Sequence, residues 1–101
     1  MGIVFEPNPV KEVLNLRDHG VSFAAAQEVF DDPNHVEAEN YFIDGEQRYQ
    51  VIGMSKSLTL LLVVFVDHSN ADTIVIRIIS ARKAEKFEEK IYAAHLTNQN
   101  Y

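Results

Sequence analysis

The stretch from Arg77 to Lys83 holds three cations and no acidic residue, in the order R-I-I-S-A-R-K. Guanidinium groups bind phosphate oxygens through paired hydrogen bonds, and the N–H groups at a helix start also attract anions. Arg82 and Lys83 fall in the predicted first turn of the last helix, where the positive end of the helix dipole repels cations. A bound anion would offset this repulsion. We therefore predict a phosphate site that includes Arg77 and the Ser80 hydroxyl. The alternative is that these cations pair with glutamates of the same helix, namely Glu85, Glu88 or Glu89.

Charged and polar side chains outside this stretch form a second set of candidates. Glu46 and Arg48 stand two residues apart on a predicted strand, so both lie on one face beside a hairpin turn. They form either an ordinary ion pair or a couple that moves a proton and stabilises charge, and spacing alone favours the ion pair. Lys11 flanks the open side of the sheet, and Glu88 and Tyr92 stand four residues apart on the last helix.

The four histidines lack the spacing of metal ligands. His19, His35, His68 and His95 form neither an HxxxH nor an HExxH pattern, so we predict no metal site, and no motif indicates a cofactor. His68 lies where a strand meets a turn, and histidine is the residue type suited to proton transfer near neutral pH, which makes it an acid–base candidate. His19 precedes the glycine that ends a helix, where a local hydrogen bond is the simpler interpretation.

The first third of the chain predicts a short strand and two helices that must position these groups. The strand covers Ile3–Phe5. A helix then begins with Asn8 as its cap and ends at Gly20, a residue type that adopts the left-handed conformation easily. Ser22 caps a second helix, which ends before Pro33 because the residue preceding a proline avoids helical angles.

The remaining sequence predicts four strands and a final helix. The strands cover residues 35–43, 47–54, 58–66 and 73–79, with a hairpin turn at Asp44-Gly45. The last helix begins at Ser80 or Ala81, runs to about His95, and has a core stripe of Ala84, Phe87, Ile91 and Ala94. We expect an α+β fold with a twisted, mainly antiparallel sheet and helices on one face. We expect residues 1–96 to form a single domain and residues 97–101 to form a frayed polar tail.

Composition excludes several classes of protein. A chain of 101 residues with 47% hydrophobic residues is long enough for one globular domain. The absence of cysteine excludes a disulfide scaffold, a thiolate metal site and a cysteine nucleophile. The longest apolar run, Leu60–Val66, has the length of a strand, and the sequence begins with no signal-peptide pattern. We expect a cytoplasmic protein that does not associate with membranes.

The formal net charge of −6 is unevenly distributed. Residues 18–47 contain no lysine or arginine and hold eight of the 15 acidic residues. Such a segment either faces a basic partner or keeps loops solvated. Charge alone favours solvation, and no segment resembles a basic DNA-recognition helix.

Four segments together resemble a known family. They are N-L-R-D-H-G-V-S-F at residues 15–23, V-F-D-D-P at 29–33, E-x-R-x-x-x-I-G at 46–53, and R-I-I-S-A-R-K-A at 77–84. With Glu88 and Tyr92 they are similar to the BrnT family of bacterial type II toxins, over nearly the whole chain. The H-G-V-x-F part of the first segment and the I-S-A-R part of the last are fairly specific together, and neither would be so alone.

The resemblance implies a RelE-like ribonuclease fold. It also implies neutralisation by a BrnA-like antitoxin, which carries the DNA-binding domain, so that the complex contacts DNA indirectly and represses its own operon. A homodimer within that complex is compatible with it. The matched polar positions are Lys11, Asn15, His19, Glu46, Arg48, Arg77, Ser80, Arg82, Glu88 and Tyr92.

Two hypotheses follow. In the first, the protein is a metal-independent endoribonuclease whose products are a 2′,3′-cyclic phosphate and a 5′-hydroxyl. Arg77 and Arg82 stabilise charge on the scissile phosphate of an RNA strand, while a carboxylate or imidazole moves the 2′-hydroxyl proton. The candidates for proton transfer are Glu46 or His19, followed by His68 or Glu88. The candidates for binding the substrate are Lys11, Ser80, Lys83, His68 and Tyr92.

In the second hypothesis the domain is a weakened or inactive scaffold that binds an antitoxin-like partner. Three departures from the family pattern motivate it: Asp18 replaces a lysine, Leu58-Thr59 replaces Gly-Arg, and His68 replaces an arginine. Each removes a cation or adds an anion where RNA would need neutralising. A fourth departure, Pro7-Asn8 in place of Trp-Asp, carries no such meaning.

Overall fold

Six strands and three helices make up residues 2–99, the part of the chain that the computed structural model describes. The strands are β1 (Ile3–Phe5), β2 (Val36–Glu37), β3 (Tyr41–Ile43), β4 (Glu46–Met54), β5 (Leu60–Asp67) and β6 (Ile74–Lys83). The helices are α1 (Pro9–His19), α2 (Phe23–Glu28) and α3 (Lys86–Gln99), and a 3-10 turn at Val29–Asp31 follows α2. The predicted α+β class is confirmed.

The strands form one mixed sheet in the order β1-β6-β5-β4-β2, and β3 also pairs with β4. Only β1 and β6 are parallel among these pairs, and the others are antiparallel. The prediction of a mainly antiparallel sheet is therefore confirmed. No helix within residues 2–99 is long and apolar enough to span a bilayer.

The sheet separates two hydrophobic cores. On one face, Phe23, Ala26 and Val29 pack against Val63 and Ile78 and are at most 4% exposed. On the other face, α3 packs Tyr92 and Leu96 over Ile52 and Leu62. The expectation that all helices lie on one face is wrong, because the side chains of β4 and β5 are apolar on both faces and need cover on each.

Local turn signals are confirmed by the backbone. Gly20 has φ +67° and its N–H donates to the Leu16 carbonyl, and the Ser22 hydroxyl accepts from Ala25 N at 3.0 Å. Asp44 and Gly45 both have positive φ, as a tight hairpin turn requires. Asn8 is the exception, because its side chain donates to the Ile78 carbonyl at 2.9 Å and makes no cap bond.

The predicted strand at 35–43 is two short strands with a break between them. Val36 pairs with Ile52, whereas Tyr41 pairs with Arg48, so the register against β4 slips by one residue between β2 and β3. A one-residue slip moves side chains to the other face, and the three residues between the strands absorb it.

β6 is longer than predicted and α3 begins later. The strand continues to Lys83, which pairs with Leu61, and α3 begins only at Lys86. The predicted helix start at Ser80 or Ala81 is wrong. β5 offers a partner of full length, and each ladder hydrogen bond satisfies backbone groups that an isolated helical turn would leave unpaired.

α3 also faces the sheet with other residues than predicted. Glu88 and Tyr92 are buried, whereas Phe87 is 59% and Ile91 is 38% exposed. The predicted stripe of Ala84, Phe87, Ile91 and Ala94 is therefore wrong by one helical position. The hydrogen bonds that Glu88 accepts from Arg82 and that Tyr92 donates to Asp32 set the rotation of α3. α3 runs into the predicted tail as far as Gln99, and Asn100 and Tyr101 lie outside the described residues.

Candidate functional site

The sheet face beside α3 carries the polar side chains that could bind a ligand. Val64 on β5 pairs with Gln50 on β4 and with Ser80 on β6. Two residues further along β5, Val66 pairs with Arg77 on β6. Paired residues share a face, and alternation adds Glu46 and Arg48 from β4. We call this surface the open face. The structure thus brings Glu46, Arg48, Arg77 and Ser80 to one side of the sheet.

A β-bulge in β6 makes this arrangement. Val64 pairs with Ser80 and Phe65 with Ile78, so Ile79 is an extra residue. Strict alternation would put Arg77 and Ser80, which are three residues apart, on opposite faces. The extra residue reverses the alternation and places them on the same one.

Lys83 does not join the predicted phosphate cluster. It pairs with Leu61, whose side chain belongs to the core beneath α2, so Lys83 lies on the opposite face from Arg82. There it lines a separate cavity with Leu16 and Thr59. Since neither cation lies in a helical turn, the argument from the helix dipole does not apply to them.

Arg82 is paired with a buried carboxylate. Its Nη1 and Nη2 atoms donate to the two Glu88 oxygens at 2.8 and 2.9 Å, and Glu85 lies 3.5 Å away. Burial raises the pKa of Glu88, but the hydrogen bonds from Arg82 and from the Glu85 amide outweigh it, and the pKa lies below its ordinary value. For Arg82, therefore, the alternative prediction from the sequence is correct: the cation pairs with glutamates that follow it in the chain.

Arg77 is differently placed. The residue is half-buried, and among residues 2–99 its guanidinium group makes one hydrogen bond, a long one of 3.5 Å from Nη2 to the Asn8 side chain. Within residues 2–99, no carboxylate forms an ion pair with it. A positive charge held on a sheet without a counter-ion can bind an anionic ligand.

Glu46 and Arg48 form the ion pair that spacing favours. Arg48 Nε lies 2.9 Å from Glu46 Oε1, and Tyr41 on β3 is the cross-strand partner of Arg48. Burial lowers the pKa of Arg48, but the hydrogen bonds and charges of Glu46 and Tyr41 outweigh it and raise the pKa. The pair remains accessible on the open face, with the Glu46 side chain 41% exposed.

Lys11 and His19 lie at the edge of β6 and not among the open-face arginines. With Asp18 and Ser80 they line a small cavity of about 150 Å³ between α1 and β6. Asn15 holds α1 there, because its amide donates to the Ala81 carbonyl at 2.9 Å and its oxygen accepts from Ala81 N at 3.0 Å.

Tyr92, predicted as a substrate contact, is buried beneath α3. Its hydroxyl donates to Asp32 Oδ2 at 2.7 Å. Burial and this bond to a carboxylate raise the pKa of Tyr92 to about 12. The side chain ties α3 to the 3-10 turn region.

His68 has a partner that sequence reasoning missed. Its Nδ1 atom is hydrogen-bonded to the carboxylate of Glu6, 62 residues away. His68 follows β5 and its N–H donates to the Val75 carbonyl, which continues the ladder on the open face. No local signal singles out Glu6, because only the parallel pairing of β1 with β6 brings it here.

A metal-binding cluster is not formed within residues 2–99, where no three histidine, aspartate or glutamate side chains converge on one point. The groups that the open face presents for binding or catalysis are guanidinium groups, carboxylates, a hydroxyl and an imidazole.

Comparison with known proteins relates this arrangement to one family. A family model described as a ribonuclease toxin, BrnT, of type II toxin-antitoxin system matches residues 8–88. Among solved structures, the chain is similar to the crystal structure of the Brucella abortus ribonuclease toxin BrnT, with a TM-score of 0.53 and 22% sequence identity. The match covers 85% of this chain and 99% of that chain, and at this identity it shows the fold. No match is found among curated proteins.

Proposed function

Because the chain belongs to the BrnT family of ribonuclease toxins of type II toxin–antitoxin systems, we propose that it is an endoribonuclease that cuts RNA on its open face. The observation that carries this proposal is Arg77, a half-buried residue whose guanidinium group has no carboxylate partner among the described residues. An RNA strand lying across β4, β5 and β6 would bring a phosphate to Arg77, with Arg48 and Ser80 as further donors.

The proposed reaction is attack of a ribose 2′-hydroxyl on the adjacent phosphorus, which leaves a 2′,3′-cyclic phosphate and a 5′-hydroxyl. Negative charge grows on the phosphate oxygens in the transition state, and guanidinium groups stabilise it by charge-assisted hydrogen bonds. Arg77 supplies that charge directly, so we propose a metal-independent reaction. Both Glu88 oxygens are bound by Arg82, so we assign Glu88 to positioning and not to proton transfer.

The proton acceptor is drawn from the remaining candidates. Glu46 lies on the open face beside Arg48, whereas His19 lies at the β6 edge on the other side of Ser80. A base must come within hydrogen-bond reach of the 2′-hydroxyl, which favours groups of the open face over His19.

Incubation of the purified protein with RNA in EDTA tests the proposal. We expect cleavage, with 2′,3′-cyclic phosphate ends identified by mass spectrometry. Arg77→Ala should lower the rate about 10²- to 10³-fold, the usual cost of removing one transition-state donor. Arg17→Ala is the matched control, because Arg17 is an exposed arginine paired with Asp18. Intact RNA in the presence of folded wild-type protein would reject the proposal.

We further propose that a BrnA-like antitoxin neutralises the protein in the cytoplasm and provides the only contact with DNA. The acidic segment at residues 18–47 supports a basic partner surface, since Glu37 and Glu39 are exposed at the β2 edge of the sheet. A toxin homodimer within the complex is a further proposal. Copurification with the product of a neighbouring reading frame tests the antitoxin partner. Light scattering of the copurified complex then shows whether it contains two copies of this chain.

The ion pair between Arg82 and Glu88 favours a second function, that of a scaffold without catalytic activity. This bidentate pair removes one cation from the open face, in a chain whose net charge is already −6. Expression in a bacterial host separates the two functions. Growth arrest that Arg77→Ala relieves supports the ribonuclease, and unimpaired growth with the wild-type protein supports the scaffold.

A further inference from the structure

The contact between Glu6 and His68 joins two elements on the open face. Glu6 directly follows β1, and its N–H donates to the Ile76 carbonyl, so the chain still runs beside β6 at this point. The His68 Nδ1 atom meets the Glu6 carboxylate. Because an ionised carboxylate only accepts hydrogen bonds, Nδ1 carries the hydrogen, and in the neutral imidazole Nε2 therefore keeps its lone pair.

The pair lies next to Arg77. Val66 pairs with Arg77 and the His68 N–H bonds to the Val75 carbonyl, so His68 and Arg77 are diagonal neighbours on β5 and β6. Diagonal neighbours on one face stand about 7–8 Å apart, within reach of long side chains. Extension of the β1–β6 register places Glu6 beside Arg77 on the other side.

The imidazole is accessible as well as oriented. The His68 side chain is 42% exposed and that of Glu6 is 35% exposed, so a ligand on Arg77 has access to Nε2. A lone-pair nitrogen, a carboxylate that fixes its tautomer and a cation without a counter-ion are the components of a general-base site for phosphate chemistry.

We propose that His68 is the proton acceptor of the RNA-cleavage reaction and that Glu6 is its positioning residue. The inference rests on the proposed ribonuclease function and replaces the earlier preference for Glu46 or His19. His68 Nε2 takes the 2′-hydroxyl proton while the 2′-oxygen bonds to phosphorus. The bond from phosphorus to the 5′-oxygen breaks, that oxygen takes a proton from water, and the imidazolium returns its proton to the solvent.

Matched histidine variants test the role of His68. His68→Gln should lower the cleavage rate about 10²- to 10³-fold. His35→Gln should leave it unchanged, because His35 is exposed and its ring bonds only to the nearby Asp32 carbonyl. Both variants should keep the wild-type melting temperature. A wild-type rate in His68→Gln would overturn the inference and leave the ribonuclease function standing.

A charge-removing variant tests Glu6. Glu6→Gln keeps an acceptor for Nδ1 but removes the negative charge beside the imidazolium that forms during the reaction, so kcat should fall about 10-fold while KM for the RNA stays the same. The other charged groups of the open face, Glu46, Arg48, Arg77, Arg82 and Glu88, stay the same in this variant. A merely structural tie would lower stability without lowering kcat.

Nuclear magnetic resonance of the His68 ring gives a readout that does not depend on activity. Nitrogen chemical shifts of the neutral His68 ring should show the hydrogen on Nδ1 in the wild-type protein and a mixture of the two tautomers in Glu6→Ala. Equal tautomer populations in the two proteins would overturn the pairing with Glu6. If the tautomers differ but the wild-type protein cleaves no RNA, the ribonuclease function fails and the role of His68 fails with it.

Discussion

Two carboxylates are kept ionised by the groups that surround them. Burial raises the pKa of Asp32, but hydrogen bonds from the Met54 amide, the Tyr92 hydroxyl and the Asn34 amide bring the pKa below its ordinary value of 3.8. Burial likewise raises the pKa of Glu88, but hydrogen bonds from Arg82 and the Glu85 amide bring the pKa below its ordinary value of 4.5. Both carboxylates tie α3 or the 3-10 turn to the sheet, so their ionisation is coupled to folding.

Acid should therefore destabilise the fold through these two groups. The unfolded chain binds protons at higher pH than the folded one, so the free energy of unfolding should fall as pH drops below about 5. Glu88→Gln should lower stability at pH 7 by about 1–3 kcal/mol and flatten the acid dependence. Urea unfolding at a series of pH values measures this. Glu89→Gln, at the exposed neighbouring position, should keep the full dependence, and equal slopes for the two variants would contradict the assignment.

At the scale of elements, one buried side chain attaches α1 to β6. Asn15 is 4% exposed and makes three hydrogen bonds to backbone groups, two with Ala81 and one to the Val21 carbonyl. The apolar side chains of α1 do not perform this task, since Val10 and Val13 are 70% and 68% exposed. The helix therefore depends on a polar contact for its position.

Asn15→Ala should lower the free energy of unfolding by about 2–4 kcal/mol, because three buried partners lose their hydrogen bonds. Asn15→Asp should cost at least as much, since it puts a carboxylate against two carbonyl oxygens. Val13→Ala on the exposed side of the same helix is the control, with an expected change within about 0.5 kcal/mol. Chemical unfolding measures all three, and equal stability of Asn15→Ala and Val13→Ala would refute the role.

The contact between β4 and the 3-10 turn leaves no room for a side chain at Gly53. A Cβ there would lie 2.6 Å from Val29 Cγ1 and 3.2 Å from the Val29 carbonyl oxygen. Gly53→Ala should cost about 1–3 kcal/mol by overpacking. The same change in a Val29→Ala background should cost less, because the closest atom is then absent. Additive effects in this double-mutant cycle would show that Val29 is not the obstacle.

At the scale of the whole molecule, net charge limits the electrostatic part of RNA binding. The chain carries −6, and only Arg77 among the open-face arginines has no carboxylate partner within the described residues. Counter-ion release from single strands gives a slope of log affinity against log salt of about −0.7 per neutralised phosphate. Few phosphates can be neutralised here, so salt dependence should be shallow.

With one to three arginines in contact, the slope should lie between about −0.7 and −2. Arg77→Ala should reduce its magnitude by about 0.7. Fluorescence anisotropy with a 2′-O-methyl RNA, which cannot undergo the cleavage reaction, measures the slope over a range of KCl concentrations. A slope that the Arg77 variant leaves unchanged would mean that RNA binds elsewhere.

Most features that depend on neighbouring residues were predictable from the sequence. The turn at Asp44-Gly45, the end of α1 at Gly20 and the cap at Ser22 follow from backbone angles and short-range hydrogen bonds, and all three are confirmed. The α+β class follows from the change of hydrophobic period along the chain. The family follows from motifs that are contiguous in sequence, and the match over residues 8–88 confirms it.

Only the tertiary structure decided which charges meet. The bulge at Ile79 sets the face of Ser80, and the rotation of α3 pairs Glu88 with Arg82. The pairing of β1 with β6 brings Glu6 to His68 across 62 residues. Such contacts depend on strand register and helix rotation, and both are set by the packing of several elements at once. A one-residue change in register moves a side chain to the opposite face of the sheet.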